Sequence, residues 1–450
     1  MRIMLLAAAL LLGSLSAEAA TYYVAPWGND ANPGTSAQPW KRPRESAWRL
    51  RPGDTLLLKP GTYYLNDAIY FGLNHSGTST GRKTVAAENP SNMPVIAGST
   101  RNCVVITGDW IEIRNLMCAD RSDTGMAIVG GQNIRIIGNK LLRNYRNGLG
   151  VYNNGSRKAR NIHIQDNELA YNGTGWSSAA ARRKSGGWPQ GLGAFGERQT
   201  VVGNVSHHNW GEGIDVGGRY NLVEQNTTYD NMSVNLYLDN ASHTTVRRNL
   251  IYDTSRLTSD TRWYMSTDGG RTWIPPTGIQ LGNEGTAGNP DPLMYLTIEN
   301  NIVFNLRNSL FYWNYGVGGG IKYSTIRHNS FIDSEREAIF WGPGPHVGNN
   351  ITDNIFKSSY SSLAYVPNRS GLNFARNLWS RWTAGIPSGN GDVIGDPRLR
   401  GPAGQRSATA AKLTAASPAI NRGAGSGFPA VSYFNVARTA PADIGADEYR

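Results

Sequence analysis

Cysteine is almost absent: the 450 residues contain two, Cys103 and Cys118. No C-x-x-C pair and no Cys/His cluster with zinc spacing occurs, which excludes a zinc ribbon or a thioredoxin-type redox centre. The two thiols either join as a disulfide, as an oxidising compartment permits, or remain separate and buried. Neither arrangement implies catalysis. Long apolar runs are also missing, except at the start. "MRIMLLAAALLLGSLSAEAA" places Arg2 before an apolar run from Ile3 to Leu12, with small residues at Ala17 and Ala19. That pattern predicts a signal peptide over residues 1–19 and a secreted or periplasmic location. The run is shorter than the roughly twenty residues a membrane span needs, so no membrane insertion is expected. Acidic residues are in deficit: 33 against 44 basic ones, a formal charge of +11. In an exported chain this points to an acidic polysaccharide as partner rather than to nucleic acid. The basic residues are scattered, apart from "ARRKSGG" at 181–187.

What the chain has in quantity is a repeat. An apolar-x-x-x-Asn phrase recurs at Asn115, Asn139, Asn167, Asn204, Asn226 and Asn249, then at Asn301, Asn329, Asn354 and Asn377. A second series, Asn144, Asn209 and Asn231, follows five residues behind its partners. Units of this size cannot enclose a core alone, but stacked units bury a continuous one. Short β-branched runs with Gly and Asn corners favour strands, and the leucine periodicity of helical or leucine-rich repeats is absent. Asparagine suits the bends, since it tolerates left-handed backbone and its amide can bond to the asparagine of the next coil. The expected fold is all-β: a right-handed parallel β-helix of ten or more coils.

The mature start, "YYVAPWGNDANPGTSAQPW" followed by "RPGDTLLLKPGTY", resembles the opening of secreted right-handed β-helix proteins of the pectate-lyase-like superfamily. The closing phrases "GDPRL" (395–399), "SPAINRG" (417–423) and "DIGADEY" (443–449) are similar to theirs as well. The resemblance implies a helix over residues 20–385 with an N-terminal cap, and a C-terminal cap segment over 386–450. Its lyases hold calcium with aspartates, and one branch uses a lysine base; no lysine falls on the aligned strand face here.

Strand alternation then sorts the side chains. "GLGVYN" (148–153), "GLGAFG" (191–196), "GIDVGG" (213–218), "NLYLDN" (235–240) and "GIQLGN" (278–283) align with apolar positions inward. One outward column reads Gly150, Gly193, Asp215, Tyr237, Gln280 and Phe311. The next reads Tyr152, Phe195, Gly217, Asp239, Gly282 and Trp313. Asp215 is expected beside Tyr237 and diagonal to Asp239, its likeliest companion by stacking, with Glu284 one coil on. Glu212 is expected in the corner. Two carboxylates about 5 Å apart repel by roughly 3 kcal/mol at an effective dielectric of 20, which a cation, a shared proton or an arginine removes.

Two insertions, at about 174–190 and 255–277, flank this face. They carry Arg182, Arg183, Lys184 and Trp188, then Trp263 and Trp273, suited to uronate carboxylates and sugar rings. The Asp-box phrase "STDGGRTW" (266–273) makes Asp268 a turn-bracing residue. The candidate catalytic residues are Asp215, Tyr237, Asp239, Lys184, Arg219 and His208. Substrate-binding candidates are Arg182, Arg183, Trp188, Phe195, Gln280, Trp263, Trp273 and Trp313. Asp215, Asp239, Glu212 and Glu284 are candidate calcium ligands. The leading expectation is a monomeric polysaccharide lyase acting on a uronate polymer. A C5-epimerase, a glycoside hydrolase using paired carboxylates, and a glycan-binding protein with an aromatic ladder (Phe195, Trp313, Phe340, Trp341) stand as alternatives.

Overall fold

Apolar residues two apart, interrupted by Asn and Gly corners, fold into short strands that each pair with the equivalent strand one coil on. A computed structural model describes residues 18–98, 101–176, 188–254, 276–284, 293–314, 319–401 and 407–450. Among these, strands form three parallel sheets of thirteen, thirteen and eleven members. The first sheet starts at Thr21–Val24, the second at Thr62–Leu65 and the third at Ile69–Phe71, and the chain visits them in turn. This is the expected right-handed parallel β-helix. Inward residues stack in columns: Leu149, Leu192, Ile214, Leu236, Ile279, Leu310 and Ile339 lie in register. All are fully buried in one apolar cluster that runs from Val24 to Ile386.

The asparagine ladder is continuous from Asn139 to Asn377. Each Nδ2 donates to the next coil's Oδ1, as from Asn139 to Asn167 at 3.0 Å and from Asn354 to Asn377 at 3.1 Å. Two details correct the sequence reading. The left-handed bend is taken by the residue before each ladder asparagine, such as Gly138, Asp166, Gly203 and Gln225. The asparagine itself is buried to satisfy backbone groups that the bend leaves unpaired. Asn115 also belongs to the bend column, with φ 59°, and Leu116 fills the first rung, its N–H donating to Asn139 Oδ1. The second ladder runs through Asn144, Asn172, Asn209 and Asn231.

The choice left open for cysteine resolves as a disulfide, Cys103–Cys118. Its partners are 15 residues apart and buried near the start of the helix. Closing a loop of that size stabilises by about 3 kcal/mol in the chain-entropy view. The C103S/C118S variant is therefore expected to melt lower than wild type and to lose the difference when wild type is reduced. Equal melting curves with and without reductant would remove the bond from the stability account.

The ladder ends at Val393–Ile394, which pairs with Leu378–Trp379. The residues beyond fold back along the second sheet, where Ala411, Ala446, Tyr433 and Phe434 cover Phe304 and Ile332. Buried Arg438 ties this segment down through Glu448 at 3.2 Å and Asn300 at 2.8 Å. No helix among the described residues is long and apolar enough to cross a membrane.

Candidate active site

Four consecutive strands of the third sheet build the site: β1 (Gln190–Ala194), β2 (Glu212–Arg219), β3 (Val234–Ser242) and β4 (Thr277–Asn283). Register sets Gly193 beside Asp215, Asp215 beside Tyr237, and Tyr237 beside Gln280. The outward column expected from the sequence is the one that forms. Further along, β3 carries one extra residue, so that Asp239 and Asn240 together face Gly217. Such a bulge bends the strand and re-aims its side chains. Asp239 pairs onward with Gly282. A Cβ at residue 282 would lie 2.1 Å from Tyr237 Oη. Glycine at that position lets the phenol cross β4 and donate to Glu284 Oε1 at 2.6 Å.

These side chains line a cleft of about 370 Å³. Asp215, Tyr237, Asp239 and Gln280 form its base with Glu212 and Glu284, while Trp188 and Phe195 add aromatic surface. Eight of the residues expected from the sequence therefore meet in one place. Gln190 and Ser233 line it as well and were missed. The available signal for Gln190 was position: it stands one coil before Glu212, in register, at the start of its strand. The glutamine donates to Glu212 Oε2 at 3.2 Å and to Asp215 Oδ2 at 3.5 Å. Gln280 accepts from Thr277 Oγ1 at 3.0 Å.

The companion of Asp215 is a correction. It is Glu212 ahead of Asp239: the strand begins two residues before its first apolar position, Gln190 donates to both Glu212 and Asp215, and the charge of Glu212 raises the Asp215 carboxyl more than that of Asp239. Both are buried, and Asp215 Oδ1 has no hydrogen-bond partner. Burial drives the Asp215 carboxyl well above its usual range, with further upward pressure from Glu212 and Asp239. Glu212 is pushed up to about 8, chiefly by burial, and Asp239 to about 7 by burial and the charge of Glu284. Carboxyl groups held this way share protons and titrate as a set.

Other candidates lie elsewhere. Arg219 is drawn to Glu197, 3.1 Å away, in an adjoining pocket that shares Phe195 and Asp239 with the cleft. His208 takes a left-handed bend, with its ring beside Tyr171 and 3.6 Å from Asp230, and does not line the cleft. Trp313 is exposed and packs obliquely on Phe340, also outside the cleft. Trp341 points inward and is core, because it pairs with inward Tyr312. Phe340 instead stacks outward between Phe311 and Tyr365. Arg182, Arg183, Lys184, Trp263, Asp268 and Trp273 lie outside the described residues.

The donor chemistry suits a hard cation such as calcium: four carboxyl groups, one with an orphaned buried oxygen. Among the described residues, however, no three acidic side chains converge on one point. Glu212 and Asp215 both accept from the Gln190 amide, and Glu284 accepts from Tyr237. As arranged, the set accommodates protons.

A family model described as a Pel9A-like right-handed β-helix region matches residues 22–233, and one described as a right-handed β-helix region matches 179–379. The crystal structure of pectate lyase Pel9A is similar over 96% of this chain and 97% of its own, with 16% identity and a TM-score of 0.60. A rhamnogalacturonan lyase is similar over 79% of this chain and 87% of its own, at 17% identity and a TM-score of 0.50. For the PL6 family alginate lyase AlyGC the shares are 85% and 54%, at 13% identity and 0.50. No curated protein matches the sequence. At such identities the likeness is one of fold, and the chemistry has to be argued from the cleft.

Proposed function

We propose that this chain, a right-handed parallel β-helix protein of the pectate-lyase-like superfamily, is a lyase that cleaves a uronate-containing polysaccharide by β-elimination. The observation that carries the reading is four carboxyl groups crowded at the base of an aromatic-walled cleft, two of them buried under one glutamine amide and a third holding a tyrosine hydroxyl. β-Elimination removes the proton at C5 of a uronate, forms the C4–C5 double bond and expels the oxygen at C4. Asp239, poised near neutrality, has the basicity suited to taking that proton at neutral pH. The Glu212–Asp215 pair, protonated there, donates hydrogen bonds to the sugar carboxylate and spreads the charge that develops on it. Gln190, on the same carboxyl pair, adds an amide donor. Tyr237, held at Glu284 before substrate binds, turns its hydroxyl proton to the departing C4 oxygen, and the proton that Asp239 took from C5 restores the phenol afterwards. Trp188 and Phe195 offer apolar surface to the ring.

One observation favours a second reading: no lysine or arginine lines the cleft among the described residues. A glycoside hydrolase acting on a neutral sugar needs none, and Glu212 and Asp239 would serve as acid and base. Incubation with polygalacturonate, alginate and rhamnogalacturonan, with and without chelator, separates the readings. The lyase is expected to produce new near-ultraviolet absorbance from an unsaturated uronate, and Tyr237→Phe to lower kcat about 10²-fold with KM little changed. Reducing ends without absorbance would establish hydrolysis instead, and altered sugar configuration without chain cleavage would establish epimerisation.

A further inference from the structure

The first sheet carries a groove of about 570 Å³ on its outer side, on a different sheet from the carboxyl cleft. Two rows of side chains line it. Arg135, His163 and Thr200 stand in register on successive coils. Beside them Asn133, Asn161 and Arg198 occupy the left-handed bend of the same coils, and Asn161 Nδ2 donates to Asn133 Oδ1 at 3.0 Å. Both rows repeat at the inter-strand distance of about 4.8 Å.

The groove is basic and its cations are held in place. Arg82 donates to the Ile111 and Asn133 carbonyls and lies over the Trp110 ring at 5.3 Å. Arg198 lies over Tyr220 at 5.0 Å. Glu112 is the nearby carboxylate, and it is divided between Arg114 at 3.3 Å and Arg135 at 3.6 Å. Asp166, at the far edge, accepts from Gln165 at 2.9 Å. Neither Arg82 nor Arg198 has an ion-pair partner among the described residues. Burial lowers the Arg82 pKa, and the neighbouring charge of Arg135 lowers it further. A bound anion would relieve that repulsion.

We infer that this groove is a second, non-catalytic binding site for an acidic polysaccharide, which lies along the coils with its carboxylates on Arg82, Arg135 and Arg198. An extended sugar chain advances by about one ring per coil spacing, so the two rows meet it repeatedly. Side-chain amides and the His163 imidazole match hydroxyl groups as donors and acceptors. Among the described residues no Phe, Tyr or Trp lines the groove to stack successive nucleic-acid bases, which sets a sugar polymer above a single-stranded nucleic acid. The inference does not depend on the reaction in the cleft, since binding is read separately from turnover.

The test is calorimetric titration of wild type and R135E/R198E with polygalacturonate at low and high salt. Both side chains are exposed, and unchanged circular dichroism checks the fold. The milder R135Q/R198Q covers the case in which charge reversal perturbs folding. At low salt, R135E/R198E is expected to bind at least tenfold more weakly, with a shallower salt dependence. R135Q/R198Q should fall between, and absorbance yield from short oligouronides should match wild type. Unchanged affinity in both variants would overturn the site. Equal binding of duplex DNA or anionic vesicles by wild type would overturn its assignment to a polysaccharide.

Discussion

Asp215→Asn is expected to abolish turnover, by about 10³-fold or more, while making the protein harder to unfold. The two effects have one origin. The Asp215 carboxyl is buried against Glu212 and near Asp239, with one oxygen unpartnered. Catalysis uses this crowding, because a carboxyl kept protonated in the cleft is a stronger donor to a sugar carboxylate than an amide and can share its proton as charge develops there. Stability is reduced by it. In the unfolded chain the group ionises near the ordinary aspartate value of 3.8, whereas in the fold it keeps its proton far higher. The unfolded state therefore binds fewer protons, and stability falls as pH rises through the window between the two values. Glu212, raised from 4.5 to about 8, adds to the same slope. The Glu212 shift corresponds to several kcal/mol at about 1.4 kcal/mol per unit. Asparagine keeps the shape and loses the titration. Its gain in melting temperature should be small near pH 4 and grow toward pH 8. A variant with full activity would remove Asp215 from the mechanism. A variant whose melting temperature falls with pH as steeply as wild type would mean that the strain lies elsewhere.

Much of this site was legible because a parallel β-helix converts sequence spacing into spatial register. Once Leu149, Ile214, Leu236 and Ile279 were recognised as one inward column, the outward line from Asp215 through Tyr237 to Gln280 followed from alternation alone. Alternation stops at the corners, and the reading failed there. Glu212 was set apart from Asp215 because its strand begins at the corner itself, where side-chain direction is set by the bend. The bulge that places Asp239 and Asn240 opposite Gly217 leaves no mark in the apolar pattern. Arg219 was near Asp215 in sequence, but Glu197, one coil away, holds it. The ladder shows the same limit. The asparagines were found, yet their role in the bend was displaced by one residue, since dihedral angles do not show in residue type when Gly, Asp, Gln and Arg all take the left-handed position.

Asn204→Ala is expected to lower stability by about 3–5 kcal/mol, or on the order of 5–10 °C in melting temperature. Asn204 is fully buried at a middle rung of the first ladder. Its Oδ1 accepts from the Asn167 backbone N–H at 3.0 Å and from Asn167 Nδ2 at 2.9 Å. Its Nδ2 donates to the Ile164 carbonyl at 2.9 Å and to Asn226 Oδ1 at 3.0 Å. Alanine leaves the Asn167 donors and the Ile164 carbonyl without partners in a site closed to water, and each such group costs about 1–3 kcal/mol. Asn204→Asp should be worse, and increasingly so as pH rises, because it sets a carboxylate against Asn226 Oδ1 and the Ile164 carbonyl. Asn204→Leu offers the sharper comparison, since leucine occupies the same column natively at Leu116. Leu116 is the first rung, and no asparagine of an earlier coil donates to it among the described residues; only its backbone N–H takes part, donating to Asn139. At residue 204 a leucine would fill the volume and still strand the Asn167 donors. It should destabilise about as much as alanine. A Leu variant as stable as wild type would show that volume, rather than the unbroken chain of amides, holds the coils together.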